Sequence, residues 1–82
     1  MQNSERETVL ITGAGIGIGA ATARAFGEAG YRVFVTDVLD DEGQKVASQI
    51  TENGGEAEYH HLDVTSTEEV DRMVADAEGR YG

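Results

Sequence analysis

The sequence predicts an α/β fold: a three-layer α/β/α arrangement whose parallel sheet is built in the order β-α-β-α-β-α. Two observations carry this expectation. Short apolar or β-branched runs recur at Thr8 to Thr12, Arg32 to Asp37 and Glu56 to Val64, and segments with apolar residues at helical spacing follow each of them. All the connections are short, so the crossovers should be right-handed and the strands parallel, because a helix packs back onto a right-twisted sheet only with that hand.

Thr8-Val9-Leu10-Ile11-Thr12 is ended by Gly13 and suits a strand buried on both faces. From Ile18 onward, Ile18, Ala21, Ala25, Phe26 and Ala29 lay one stripe along a first helix, which Gly30 ends. The second strand runs from Arg32 to Asp37, and Asp40 and Asp41 offer capping groups for a second helix towards Glu52, stopped by Asn53-Gly54-Gly55. Glu56 to Val64 reads as a less apolar third strand. Thr65-Ser66-Thr67-Glu68 has capping-box spacing for a third helix, with Val70, Met73, Val74 and Ala77 as its buried stripe. In a doubly wound fold the first two helices cover one sheet face and the third crosses to the other on its way to a fourth strand, and these residues supply no such strand.

With 82 residues the chain is one domain at most, and a domain of that size buries only about 60% of the surface its unfolded form exposes. Residues 1–7 read as a flexible lead and 8–82 as one partial domain. The net charge of -10 sets sixteen carboxylates against five arginines and Lys45, a balance that repels phosphate backbones and argues against nucleic-acid partners. It reflects either an ordinary solubilising surface or a lysine-poor adaptation to high salt. No apolar stretch approaches the roughly 20 residues that span a bilayer, and no cysteine is present, so a soluble, cytoplasmic location is expected.

The chemistry concentrates at Thr12-Gly13-Ala14-Gly15-Ile16-Gly17-Ile18-Gly19, which joins the first strand directly to the first helix. Glycines let backbone approach a ligand closely, and the free N–H groups at the start of a helix attract a pyrophosphate. Such a turn can also serve packing alone. Two observations favour the phosphate cradle: the helix begins within the glycines, and Asp37 ends the next strand at the spacing expected for ribose recognition. A carboxylate after a strand can equally cap the following turn. As a ribose ligand, Asp37 would accept hydrogen bonds from hydroxyls and repel a 2′-phosphate, selecting NAD over NADP.

These residues resemble the short-chain dehydrogenases/reductases, whose glycine motif Thr-Gly-x-x-x-Gly-x-Gly is matched by Thr12, Gly13, Gly17 and Gly19. Asp37 and the Asp63-Val64 pair fit two further features of that family, so the matches span nearly the whole chain. The resemblance implies a Rossmann-like fragment lacking the later strands. It also implies an NAD site made by Gly13, Gly15, Ile16, Gly17, Ile18 and Gly19, with Asp37 and Val38 at the ribose and Asp63 and Val64 at the adenine edge. Ile16 departs from the serine, arginine or lysine common there, which agrees with NAD. The family's serine and Tyr-x-x-x-Lys pair, its proton-transfer groups, are absent, since Tyr31, Tyr59 and Tyr81 have no lysine four residues on. No catalytic residue is therefore expected among the 82, and the chain alone should be inactive.

His60 and His61 are strand neighbours that point to opposite faces, which disfavours a metal site. Ser66, Asp63 and His61 have the composition of a triad but read as strand-end and cap residues. An alternative register, Gly15-x-Gly17-x-x-Ala20, matches the general dinucleotide fingerprint but starts too far beyond the strand. Two other functions remain open: an S-adenosylmethionine-dependent methyltransferase segment, disfavoured by Thr12 where an acid is usual, and a non-catalytic nucleotide-binding fragment. An unpaired first strand should also promote self-association, or pairing with the remainder of an enzyme.

Overall fold

In the computed structural model, which describes residues 6–81, the elements follow the expected order. They are β1 (Thr8–Ile11), α1 (Gly17–Glu28), β2 (Arg32–Asp37), α2 (Asp40–Glu52), β3 (Glu56–His61) and α3 (Thr67–Tyr81). The strands form one parallel sheet in the order β1-β2-β3. Most of the lead expected over residues 1–7 lies outside the described residues. Within them, the Glu7 carbonyl accepts the Arg32 N–H at 2.8 Å.

Every residue of β2 is buried, because it is the strand flanked on both sides. Val33 and Val35 point to the α1 and α2 face, where they meet Ala20, Ala23, Val46, Ala47 and Ile50. Phe34 points the other way, to Leu62, Met73 and Ala77. The first two helices thus share one face and α3 takes the other, as the doubly wound pattern requires. On the α3 side the core rests on Phe34, whose full burial is worth about 1.5–3 kcal/mol. Arg32 fixes the starting ends of the strands. Its Nε donates to Glu56 at 2.8 Å and a terminal nitrogen donates to Thr8 Oγ1 at 3.1 Å, which ties together the paired residues Thr8, Arg32 and Glu56.

Several expectations are corrected. β1 is half-buried rather than enclosed on both faces, because it is an edge of this sheet. The buried stripe of α1 is Ala20, Ala23 and Gly27, with Phe26 at its margin, whereas Ile18, Ala21, Ala25 and Ala29 are exposed. The smallest residues make the inward face: Ala20 and Ala23 lie in one core cluster with Val33 and Val35, and Gly27 admits Ile50 of α2. Asp40 and Asp41 occupy the first turn of α2 and do not cap it; Leu39 is its N-cap and makes no side-chain cap bond. β3 ends at His61, although the Leu62 N–H still reaches the Asp37 carbonyl at 2.9 Å. The N-cap of α3 is Ser66, one residue later than the spacing suggested, and the reciprocal half of a capping box is not made: the Ser66 N–H goes to the Asp63 carbonyl at 2.9 Å. Ser66 Oγ accepts the Glu69 N–H at 3.2 Å, and Glu69 reaches back to the Asp63 N–H at 3.0 Å. Of the α3 stripe, Val70, Met73 and Ala77 pack inward, and Val74 is 42% exposed.

Two glycines accommodate one side chain on the first face. A Cβ added at Gly27 would fall 2.7 Å from Ile50 Cγ2, and one at Gly55 would fall 2.8 Å from the same methyl. Ile50 is 4% exposed and wedges between α1 and the start of β3.

Candidate functional site

The three strands end at one edge of the sheet, and the segments that follow them, 12–17, 38–39 and 62–66, come together there. Ligands of open α/β sheets bind at this carboxyl edge. The first segment turns sharply: Gly13 and Gly17 have φ of 62° and 60°, the left-handed region that glycine enters without a Cβ clash. Gly19 is required for closeness, since a Cβ there would lie 2.0 Å from the Gly13 carbonyl oxygen. Ala14 is fully buried and donates its N–H to the Thr36 carbonyl at 2.9 Å, which anchors the turn on β2.

The start of α1 has no capping group of its own. Ile16 sits at the N-cap in extended backbone with no side-chain cap bond, and the first turn carries no acid. The other two helices do carry acids there: Asp40, Asp41 and Glu42 in α2, Glu68 and Glu69 in α3. An N-terminus with orphan N–H groups and no acid of its own suits an anion from outside.

Asp37, 8% exposed at the end of β2, ties this loop to the next. Its Oδ2 accepts the Gly15 N–H at 2.8 Å, and its Oδ1 accepts those of Val38 and Leu39 at 2.7 and 3.0 Å. Burial raises its pKa, but the three backbone N–H groups outweigh burial and the nearby Asp40 charge, and hold the carboxyl below the usual carboxylate range. Asp37 thus caps the turn after β2 with one oxygen and holds the glycine loop with the other. A carboxylate offers about four acceptor positions. Two on Oδ1 and one on Oδ2 are used, which leaves one on Oδ2.

At the third strand end, Asp63 Oδ1 accepts the Thr65 N–H at 2.9 Å and its hydroxyl at 2.7 Å, so the carboxyl is held low, first by that hydroxyl and then by the backbone. Val64, beside it, is 58% exposed. The exposed large apolar side chains of the described residues are Ile16, Ile18, Val38, Leu39, Val64 and Val74, and all but Val74 stand at this edge. Apolar residues concentrated at one place on a surface mark a contact site. Of the residues predicted from sequence, Gly13 to Gly19 and Asp37 are brought into one connected unit, and Asp63 and Val64 join it at the rim.

Sequence reasoning missed Tyr59, Asp40 and Gly43. The Tyr59 hydroxyl donates towards both the Asp37 carbonyl, at 2.8 Å, and Asp40 Oδ1, and His61 Nδ1 is 2.8 Å from that same Asp40 oxygen. Asp40 is held low, by the Tyr59 hydroxyl and then by His61; burial and Asp40 push Tyr59 up; Asp40 raises His61. The alternation Ala57, Tyr59, His61 on β3, and a glycine inside the helical pattern of α2, were the available signals. His60 points to the opposite face, stacks on Phe34 with centroids 5.3 Å apart and meets Glu58 at 2.7 Å. Ser66, Asp63 and His61 each have other partners, at Glu69, Thr65 and Asp40. A cleft of about 500 Å³ between β3 and α3 is lined by His60, His61, Leu62, Glu69, Arg72, Met73 and Asp76, and no residue of the glycine turn lines it.

A family model described as short chain dehydrogenase matches residues 7–82. Short-chain dehydrogenase reductase 3b of Arabidopsis thaliana is 46% identical over 74 residues, covering 90% of this chain and 28% of that protein. Among solved structures, a metagenomic short-chain oxidoreductase in complex with NADP superposes with a TM-score of 0.91 at 31% identity, covering 99% of this chain and 37% of that one. A hydroxysteroid dehydrogenase from Escherichia coli gives 0.87 at 34% identity, covering 98% and 35%. The chain spans little more than a quarter of the length of curated relatives such as the Arabidopsis one. These matches follow the dehydrogenase expectation and lend none to the methyltransferase one.

Proposed function

The chain belongs to the short-chain dehydrogenase family, and from that premise we propose that residues 8–82 bind a nicotinamide dinucleotide, NAD in preference to NADP, as part of an oxidoreductase acting on an alcohol or carbonyl substrate. The observation that carries this reading is the Gly15 N–H to Asp37 Oδ2 bond, which joins the glycine turn to an ionised carboxylate. The turn fits the group: a cradle that a Cβ at position 19 would close, opening onto a helix start with no acid.

Gly13, Gly15, Ile16, Gly17, Ile18 and Gly19 would hold the pyrophosphate and its adjoining ribose by backbone. Asp37 would accept a ribose hydroxyl at the remaining position on Oδ2, beside Val38. Asp63 and Val64 would hold the adenine edge, with the exposed side chains of Ile16, Val38 and Val64 excluding water around the base. A bound nicotinamide supplies the hydride chemistry. No Tyr-x-x-x-Lys pair lies among these 82 residues, so binding and orientation are what they contribute. The metagenomic relative is described with NADP; for this chain the charge of Asp37, and the absence of any lysine or arginine from segments 12–19, 37–40 and 62–66, support NAD.

The test is a heteronuclear NMR titration with NAD, NADP and S-adenosylmethionine, followed at the amides of Gly13 to Gly19, Asp37 and Asp63. Saturable shifts with NAD at a Kd of about 1 mM, equivalent to about -4 kcal/mol, and weaker ones with NADP are expected. Stronger binding of S-adenosylmethionine, or none by a folded chain, overturns the reading.

A cytoplasmic location and self-association belong to the same proposal. No helix among the described residues is long and apolar enough to cross a membrane. Beside the β1 edge, a groove of about 230 Å³ is lined by Thr8, Leu10, Val74, Ala77 and Glu78, and an open edge with apolar neighbours favours pairing with another chain segment.

A further inference from the structure

Gly15 and Asp37 bond one another, but neither residue alone fixes where that bond sits, and Tyr59 of β3 reaches both sides of it. Its hydroxyl is 2.8 Å from the Asp37 carbonyl oxygen, which restrains the main chain from which the carboxylate projects. Its ring lies against Gly43 of α2: a Cβ there would fall 2.2 Å from Cε1 and 2.5 Å from Cδ1. Gly43 in turn abuts the loop, because a Cβ at Gly15 would be 3.1 Å from the Gly43 nitrogen and 3.0 Å from Asp37 Oδ2. Ring, helix backbone and glycine turn are therefore in successive contact, with no space for a methyl group between Gly43 and the ring and a tight fit between Gly43 and Gly15. Glycine inside a helix is destabilising relative to alanine. At position 43 it provides the notch in which the ring is seated.

We propose that Tyr59, seated at Gly43, is a positioning residue that sets the separation between the glycine turn and the Asp37 carboxylate. The affinity for a dinucleotide follows from that separation, and this consequence rests on the reading of the preceding subsection. Tyr59 touches no cofactor; it acts through Asp37 and Gly43. Its hydroxyl carries one proton between two acceptors, the Asp37 carbonyl and the Asp40 carboxylate, and His61 binds Asp40 from the other side. The grip on Asp37 is accordingly shared with α2 and β3.

The test compares the chain with Y59F, which keeps the ring and loses the hydroxyl, and with G43A, which displaces the ring. In Y59F the Gly15 amide resonance should move in the absence of ligand, and the Kd for NAD should rise about threefold to tenfold, the size of a lost hydrogen bond. G43A should move the same resonance. The double variant should be less than additive, because both changes break one contact. A merely structural role would lower the urea midpoint and leave the Gly15 resonance in place. A folded Y59F with an unmoved Gly15 resonance and unchanged NAD affinity overturns the proposal. If the unaltered chain binds no dinucleotide while the Gly15 resonance still moves in Y59F, the positioning role stands and the dinucleotide reading fails. Should both variants unfold, hydrogen exchange in the unaltered chain decides: a Gly15 amide protected well beyond that of Gly17 supports the clamp, and one exchanging as fast overturns it.

Discussion

Replacing Asp37 by asparagine keeps the shape of the side chain and removes what the structure uses. The carboxylate accepts from Gly15 through one oxygen, and from Val38 and Leu39 through the other. An amide has one oxygen, so in either orientation its NH2 faces a backbone N–H and at least one bond becomes a donor-donor contact. Hydrogen bonds to a charged acceptor are worth about 1.5–3 kcal/mol net, and a buried donor left unpaired adds to the loss, so D37N should cost about 2–4 kcal/mol at pH 7. An 82-residue domain has roughly 4–12 kcal/mol in total. With a urea dependence of about 1 kcal/mol per molar, the midpoint should fall by about 2 M or more. The pH dependence separates charge from shape. The folded pKa of Asp37 lies below the ordinary aspartate value of 3.8, so its contribution is complete above that value and is lost as pH falls through the folded pKa. The gap between the chain and D37N, followed by circular dichroism in urea, should be wide at pH 7 and shrink towards pH 2. Equal midpoints at pH 7, or a gap that does not narrow in acid, would refute the reasoning.

Two further outcomes are expected. G19A drives a methyl group into the Gly13 carbonyl, a backbone atom that cannot rotate away, so it should destabilise the chain by at least the roughly 1–3 kcal/mol of an overpacked site and abolish NAD-induced shifts at Gly13 to Gly19. Thermal unfolding and the NMR titration check this; a G19A chain that melts and binds like the original contradicts it. D40N should lower the titration midpoint of His61, read from its imidazole proton shifts, because Asp40 is the first cause of its elevation. A group whose folded pKa is raised stabilises fully below its unfolded value and loses that contribution as pH rises through the folded one. The His61 contribution should therefore decline above about pH 6.5, and an unmoved midpoint in D40N would show that Asp40 is not its partner in solution.

The sequence made the sheet legible where one residue's chemistry decided the matter. β2 has the expected limits because its apolar run is closed by charged residues at both ends, Arg32 and Asp37. The glycine turn was legible because glycine enters the left-handed backbone angles of Gly13 and Gly17 without the Cβ penalty that other residues meet. Periodicity served less well. In α1 it favoured the large apolar Ile18, while the core accepted the smallest residues, Ala20, Ala23 and Gly27, because closeness of approach outweighed hydrophobicity. The α3 cap was misplaced by one residue because Thr65 and Ser66 both offer hydroxyls, and only backbone geometry selects Ser66. The meeting of Tyr59 and Asp40 was missed for a different reason: the β3 alternation and the glycine within α2 mark each element separately, and neither indicates that the two meet at Asp37. Their role depends on the register that pairs Asp37 with His61.

The wedge at Ile50 couples positions far apart in the sequence. Gly27 and Gly55 come from separate parts of the chain, yet each is confined by one and the same methyl group. A side chain added at 27 or 55 meets Ile50, and at 55 it also lies 3.1 Å from the Ile50 carbonyl oxygen, which no change of side chain at 50 removes. Changes that share one contact are not additive, so the three positions respond to substitution as one unit of packing.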